Sequence, residues 1–222
     1  MIVLLIMVVM FWDAETTGIE EGSAINVIVV RTDTESKVFM SDHGEPMGKD
    51  VGINVLDFLE KASVIVTFNG AAYDFKLLYL LTGDARAKQF ARLHVDVMYH
   101  FATQMGYYSS MDSFAVASIG ETKTETGEWA AEAWGTDPER VIDYCAQDTL
   151  VLEKLYEHAL TYGMLFRKTQ KGNVTSWPIS IDGSKVFKTV EECTADYEAN
   201  PPDQSWMTDP PSIVENINWC LL

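Results

Sequence analysis

Three short strings in this chain carry acidic side chains at spacings that could gather them at one point: Asp13-Ala14-Glu15, Asn69 with Tyr73-Asp74, and Tyr144 with Asp148. In an extended chain residues i and i+2 project to the same side, so Asp13 and Glu15 can converge, while Gly18 lets the backbone turn away beyond them. On a helix, residues four apart share a face, which sets Tyr144 one turn before Asp148. Oxygen ligands of this kind suit Mg²⁺ or Mn²⁺. Taken singly, each string has an ordinary reading: a solvated strand end, a first-turn acid, a polar pair on a helix surface. Four carboxylates on three separate elements in this order are hard to obtain by chance.

The elements that must position these acids are read from the apolar pattern. Met1 to Trp12 is an apolar run rich in Val and Ile that stops at the acid pair, which suits a strand buried on both faces. No positive charge precedes it, no small-residue cleavage site follows, and it falls well short of the roughly 20 residues that cross a bilayer, so a core strand is expected rather than a signal or anchor. Ile25 to Arg31 and Lys37 to Met40, joined by TDTES, read as an antiparallel meander. Asn54 is expected to cap a helix over VLDFLEKA. Ser63 to Phe68 is a second buried strand breaking at Asn69-Gly70, Ala72 to Leu81 is helical with Asp74 in its first turn, and Leu93 to Val97 is a short further strand.

Met98 to Gly135 reads as mainly helical and irregular, with Ser110 capping MDSFAVASIG and ETKTETGE as a mobile loop. A strong helix then begins: Thr136 or Asp137 caps it, Pro138 lies in its first turn, Glu139 completes a T-x-x-E box, and Gly163 ends it. Val141, Cys145, Leu152, Leu155 and Ala159 line its buried side. From residue 163 to 192 the turn signals Lys171-Gly172-Asn173 and Asp182-Gly183 suggest a small β-meander, and residues 193 to 222 an extended Pro- and Trp-containing tail laid over the domain. The main domain is thus expected over residues 1 to 162.

With 33 acidic against 16 basic residues the chain carries a formal charge of −17, which repels nucleic acid and anionic membranes over most of its surface. A polyanion ligand needs cations or a local basic patch, and Arg167, Lys168 and Lys171, with Lys185 and Lys188, form the densest one. Cys145, Cys193 and Cys220 share no metal-ligand spacing, so a reduced, cytoplasmic setting without disulfide or zinc is expected. His94 and Asp96 read as satisfied structural groups, His43 and His100 as surface residues, and Tyr107, Tyr108, Trp129 and Trp134 as packing aromatics before base-stacking ones.

The strings FWDAETTG, TFNGAAYD and YCAQDTLVLEKLY, supported by HVDV and MDSFAVASIG, resemble the DEDD exonuclease superfamily over roughly residues 1 to 162. The similarity is greatest to the proofreading domains of family-B DNA polymerases and to free-standing phage or bacterial nucleases. The branch is the tyrosine-bearing one: the position five before the last Asp, histidine in the other branch, is Asp143, and Tyr144 stands at minus four. The resemblance implies a ribonuclease H-like α/β fold, a mixed five-stranded sheet flanked by helices with a small C-terminal β-rich extension. It also implies 3′-to-5′ release of nucleoside monophosphates from single-stranded DNA with two Mg²⁺ or Mn²⁺ ions. In that scheme Asp13 bridges both ions, Glu15 and Asp148 hold the one that activates water, Asp74 supports the second, and Thr16 and Asn69 touch the terminal nucleotide. Tyr144 orients the attacking water, since tyrosine, with a reference pKa of about 10, is a poor base at neutral pH. Arg167, Lys168 and Lys171 are candidates for backbone contact with the strand. The same chemistry on RNA, or a non-catalytic polymerase accessory module, are the rival expectations, and a polymerase acting in trans is the expected partner.

Overall fold

In the computed structural model, which describes residues 7–18, 22–42, 44–122, 125–179 and 187–221, the apolar run before Asp13 becomes strand β1 (Val9–Thr16). Met10, Phe11 and Trp12 are all buried, so successive side chains enter the core on both faces of the sheet. Strand β2 (Ile25–Arg31) pairs antiparallel with β1, and β3 (Ser36–Met40) antiparallel with β2, giving the expected meander. On the other flank β4 (Val64–Thr67) runs parallel to β1, and a two-residue β5 (Val95–Asp96) parallel to β4. The order is β3-β2-β1-β4-β5, with the acid-bearing strand at the centre. Parallel β1 and β4 leave the sheet at the same edge, which brings the Asn69–Asp74 segment beside the exit of β1. The β1/β2 register slips between Glu15 and Thr16: Glu15 pairs with Val27 and Thr16 with Ile25, leaving Asn26 as an extra residue.

One face of the sheet is covered by α1 (Lys49–Leu59), α2 (Asp74–Thr82) and α3 (Ala85–Leu93). Helix α1 begins five residues ahead of the Asn54 cap read from the sequence. Gly52 explains the difference, because it is a contact point and not a breaker: a Cβ there would meet Thr82 at 2.8 Å. Helix α3 escapes the apolar pattern altogether. Its buried face is only Ala87 and Ala91, and it is fixed instead by Asp84, whose side chain accepts from Arg86 N at 2.9 Å.

The other face carries α4 (Val97–Met105), α5 (Met111–Ser118), α6 (Gly127–Ala133) and the long α7 (Pro138–Tyr162), which crosses β1 and β2. Ser110 caps α5 as expected, accepting from Ser113 N at 3.3 Å. Pro138 opens α7 and Gly163, at φ 66, closes it. The T-x-x-E box is not formed. Thr136 belongs to the end of α6, its hydroxyl donating to Ala133 O at 3.2 Å, and the N-cap residue Asp137 makes no side-chain cap bond.

A hairpin of β6 (Met164–Lys168) and β7 (Val174–Pro178) turns at Lys171-Gly172-Asn173. The second turn signal, Asp182-Gly183, lies outside the described residues, as do Lys185, His43 and the start of the apolar run. The C-terminal segment is not simply an extended tail. It contains α8 (Val190–Ala199), opened by a Thr189/Glu192 capping box, a 3-10 turn at Glu215–Ile217 and α9 (Asn218–Leu221). Val190, Cys193, Ile213, Ile217 and Cys220 join the apolar cluster of Trp12 and Phe75. His100 is likewise buried, 4% exposed and packed edge-on against Trp177 and Phe187, where the sequence reading placed it at the surface. Its neighbours Tyr99 and Ala102 enter one apolar cluster and Val97 and Phe101 another, so α4 is covered on two sides. Among the described residues no helix is long and apolar enough to cross a membrane.

Candidate active site

Asp13 and Glu15 converge at the exit of β1, as their i, i+2 spacing requires. Together with the Cys145 thiol from α7, their ligand atoms all lie within 4.8 Å of one another. Cys145 Sγ donates to the Asp13 main-chain oxygen at 3.4 Å and approaches its Oδ2 at 3.9 Å, tying the middle of α7 to the acid-bearing strand. Burial pushes this thiol well above its ordinary range, and the charges of Asp13 and Glu15 push it further. Cys145 is the site neighbour that sequence reasoning missed. Its signal was available: it lies three residues before Asp148, on the same side of the helix.

Asp74 opens α2 and is 5% exposed. Burial raises its carboxyl well above the usual range, and the charges of Asp13 and then Asp96 add to the rise. Asp74 is therefore in electrostatic reach of Asp13. Asp148 is buried on α7, and its charge acts on Cys145. Tyr144, one turn earlier and 4% exposed, packs edge-on against Trp129 with ring centroids 6.1 Å apart, and Arg140 lies over the other ring at 4.7 Å. A cluster of carboxylates that repel one another is the donor set a hard divalent cation would satisfy.

The sign of the Asp74 effect is defined. Between its unfolded value of about 3.9 and its raised folded one, the native state holds a proton the unfolded chain has lost, so its contribution to stability falls as pH rises through that window. Asp74→Asn is expected to stabilise the metal-free protein at neutral pH and to flatten this pH dependence. Urea denaturation in EDTA at mildly acidic and neutral pH measures it, and equal loss of stability with pH in both proteins would show that Asp74 is not the group responsible.

The turn that delivers Asp74 is built by structural polar groups. Asn69 adopts φ 72, a conformation asparagine tolerates better than most residues. Asp96, 1% exposed, accepts from Asn69 N at 2.9 Å and Tyr99 N at 3.0 Å through Oδ1, and from Ala71 N at 2.9 Å through Oδ2. Thr67 Oγ1 accepts from Gly70 N at 3.2 Å and meets His94 Nε2 at 2.9 Å, while His94 Nδ1 faces Ala91 O at 2.8 Å. His94 and Asp96 are thus the satisfied structural groups the sequence suggested. Trp219 of α9 closes the turn from outside, its Nε1 donating to Ala71 O at 2.9 Å. A Cβ at Gly70 would sit 2.7 Å from Thr67 Cβ. Gly70→Ala is therefore expected to destabilise the fold by about 1–3 kcal/mol, the usual scale of overpacking. Chemical denaturation checks it, and an unchanged midpoint would contradict the tight turn.

Thr16 donates to Gly18 O at 2.6 Å and meets the Tyr73 hydroxyl at 3.1 Å; Tyr73 also donates to Gly18 O. The other candidates are not brought into this cluster. Arg167, Lys168 and Lys171 line a separate groove with Tyr107, Tyr108 and Trp206. Lys188 pairs with Asp196. Trp134 is buried, its Nε1 donating to Glu45 O at 3.2 Å, a packing role as expected.

A sheet of this order with acids at the exit of its central strand defines a class, and comparison with known proteins agrees. A family model of the RNase H superfamily matches residues 10–160, and the chain belongs to that superfamily. The match runs from β1 to the end of α7, so it includes every candidate carboxylate and leaves out the hairpin and the C-terminal helices. Among solved structures, the family B DNA polymerase from the hyperthermophilic archaeon Pyrobaculum calidifontis is similar, with a TM-score of 0.55 and 16% identity over 70% of this chain and 25% of that one. At that identity the likeness speaks for the fold, and this chain spans about a quarter of the polymerase. A comparison with the curated proteins finds no match.

Proposed function

We propose that the chain is a metal-dependent 3′-to-5′ exonuclease of the tyrosine-bearing branch, acting on single-stranded DNA. The observation that carries the reading is the convergence of Asp13 and Glu15 at the exit of the central strand, with Asp74 in electrostatic reach, on an RNase H superfamily fold. The branch assignment rests on Tyr144, buried one turn before Asp148 on α7.

Two divalent cations, Mg²⁺ or Mn²⁺, would be held by Asp13, Glu15, Asp74 and Asp148, and would supply water activation and charge neutralisation for phosphodiester hydrolysis. The protein's own part is to keep four acids where charge is needed. Cys145 fixes Asp13 through its main chain, and the turn anchored by Asp96 fixes Asp74. Tyr144 orients the attacking water through its hydroxyl, its ring held by Trp129. Thr16 and Asn69 border the place of the terminal nucleotide.

The test is digestion of 5′-labelled single-stranded DNA and RNA side by side, with and without Mg²⁺ or Mn²⁺. Stepwise shortening of DNA that stops in EDTA is expected. Preference for RNA would move the substrate class, and binding without shortening in either metal would leave a non-catalytic accessory module.

A further inference from the structure

On a chain of formal charge −17, a cleft of the opposite character stands out among the described residues. Arg167, Lys168 and Lys171, at the end of β6 and in the hairpin turn, line a groove of about 730 Å³ with Tyr107 and Trp206, and none of its lining residues is acidic. Several cations elsewhere are paired with acids: Arg31 with Glu153, Arg86 with Asp57 and Asp84, Arg140 with Glu125, Lys154 with Glu121. Among the described residues no acid pairs with the three cations of the groove. The Arg167 guanidinium instead lies over the Tyr107 ring at 5.1 Å and the Phe101 ring at 5.8 Å, and its Nε is buried without a hydrogen-bond partner.

Trp206 completes the wall from the C-terminal segment. It is 67% exposed, yet not loose: its Nε1 donates to Asp203 O at 3.0 Å and its ring stands edge-on to Tyr107 at 6.0 Å. The segment is seated on the end of α4, where Gln204 Nε2 donates to Gly106 O at 2.6 Å. Gly106 has φ 80, and a Cβ there would meet Gln204 at 2.9 Å. A large aromatic face held open beside unneutralised cations is the combination that takes unpaired bases and their phosphates; a duplex would hide the base faces. Ring contacts from Phe68 through Phe114 and Phe101 to Tyr107, at 6.3, 5.1 and 5.3 Å, connect this wall to the strand end just before Asn69.

We infer that this groove binds the single strand behind its reacting end, with bases stacking on Trp206 and Tyr107 and phosphates meeting Arg167, Lys168 and Lys171. The inference rests on the nuclease reading for its substrate class, and its test is separable from that reading. Binding of a 5′-fluorescein thymidine oligonucleotide of about 12 residues, within the site sizes of single-strand grooves, is followed by anisotropy in EDTA on the full chain. Trp206→Ala should weaken binding about tenfold, the scale of one stacked base. Lys168→Gln with Lys171→Gln should reduce the slope of log K against log salt by about 1.4, two single-strand phosphate contacts. With metal present, both variants should cleave the long oligonucleotide more slowly and a thymidine dinucleotide at the wild-type rate. Groove-dependent binding without any cleavage would sink the nuclease reading and keep the groove. Cleavage with binding unchanged in both variants, no binding by the wild type, or preference for a polyglutamate peptide over the oligonucleotide would overturn the groove.

Discussion

Asp13→Ala is expected to reduce metal-dependent shortening of single-stranded DNA by at least about a thousandfold, the scale on which loss of one member of a catalytic unit disables it. In the same protein the metal-free melting temperature should hold or rise. The two halves come from one arrangement. Asp13 lies within 4.8 Å of Glu15 through its ligand atoms and raises the Asp74 carboxyl by its charge, so without cations it is a source of repulsion. Only when cations are bound does it become attractive. Mg²⁺ or Mn²⁺ should accordingly raise the melting temperature of the wild type by binding the folded state, and Asp13→Ala with Asp148→Ala should lose most of that increment. Wild-type cleavage by a clean preparation of Asp13→Ala would remove the acid cluster from the reaction.

Tyr144→Phe is expected to slow single-turnover cleavage by about ten- to a thousandfold while barely changing the affinity for a nucleotide end, the pattern of a group that positions the nucleophile. Phenylalanine keeps the ring, and the ring is what packs edge-on against Trp129 at 6.1 Å. Folding and metal binding should therefore survive. What is lost is one hydroxyl, on the helix face that also carries Asp148. Equal single-turnover rates at saturating metal would make Tyr144 a packing residue of the α6–α7 contact and would withdraw the branch assignment with it.

Much of this was legible because it is local. The period of two that aligns Asp13 with Glu15, the period of nearly four that aligns Tyr144 with Asp148, and the Pro138 and Gly163 ends of α7 all depend on neighbours in sequence. What was missed depends on distant ones. Cys145 reaches Asp13 only because α7 crosses β1. His100 is interior only because β7 and Phe187 fold over α4. Helix α3 buries alanines, which carry little apolar signal, and α1 starts early because Gly52 lets it approach α2. The C-terminal helices were hidden by prolines and scattered tryptophans, although Thr189 and Glu192 spell a capping box.

Asn26, left over where the β1/β2 register slips, is fully buried, and both atoms of its amide lack a hydrogen-bond partner. Each unmet group of this kind costs about 1–3 kcal/mol. A regular ladder would instead pair Thr16 with Asn26 and turn Ile25, with the chain leading into it, to the opposite face of the sheet. The shape of this strand end therefore coexists with two unmet amide atoms, a local instability set close beside the acid pair.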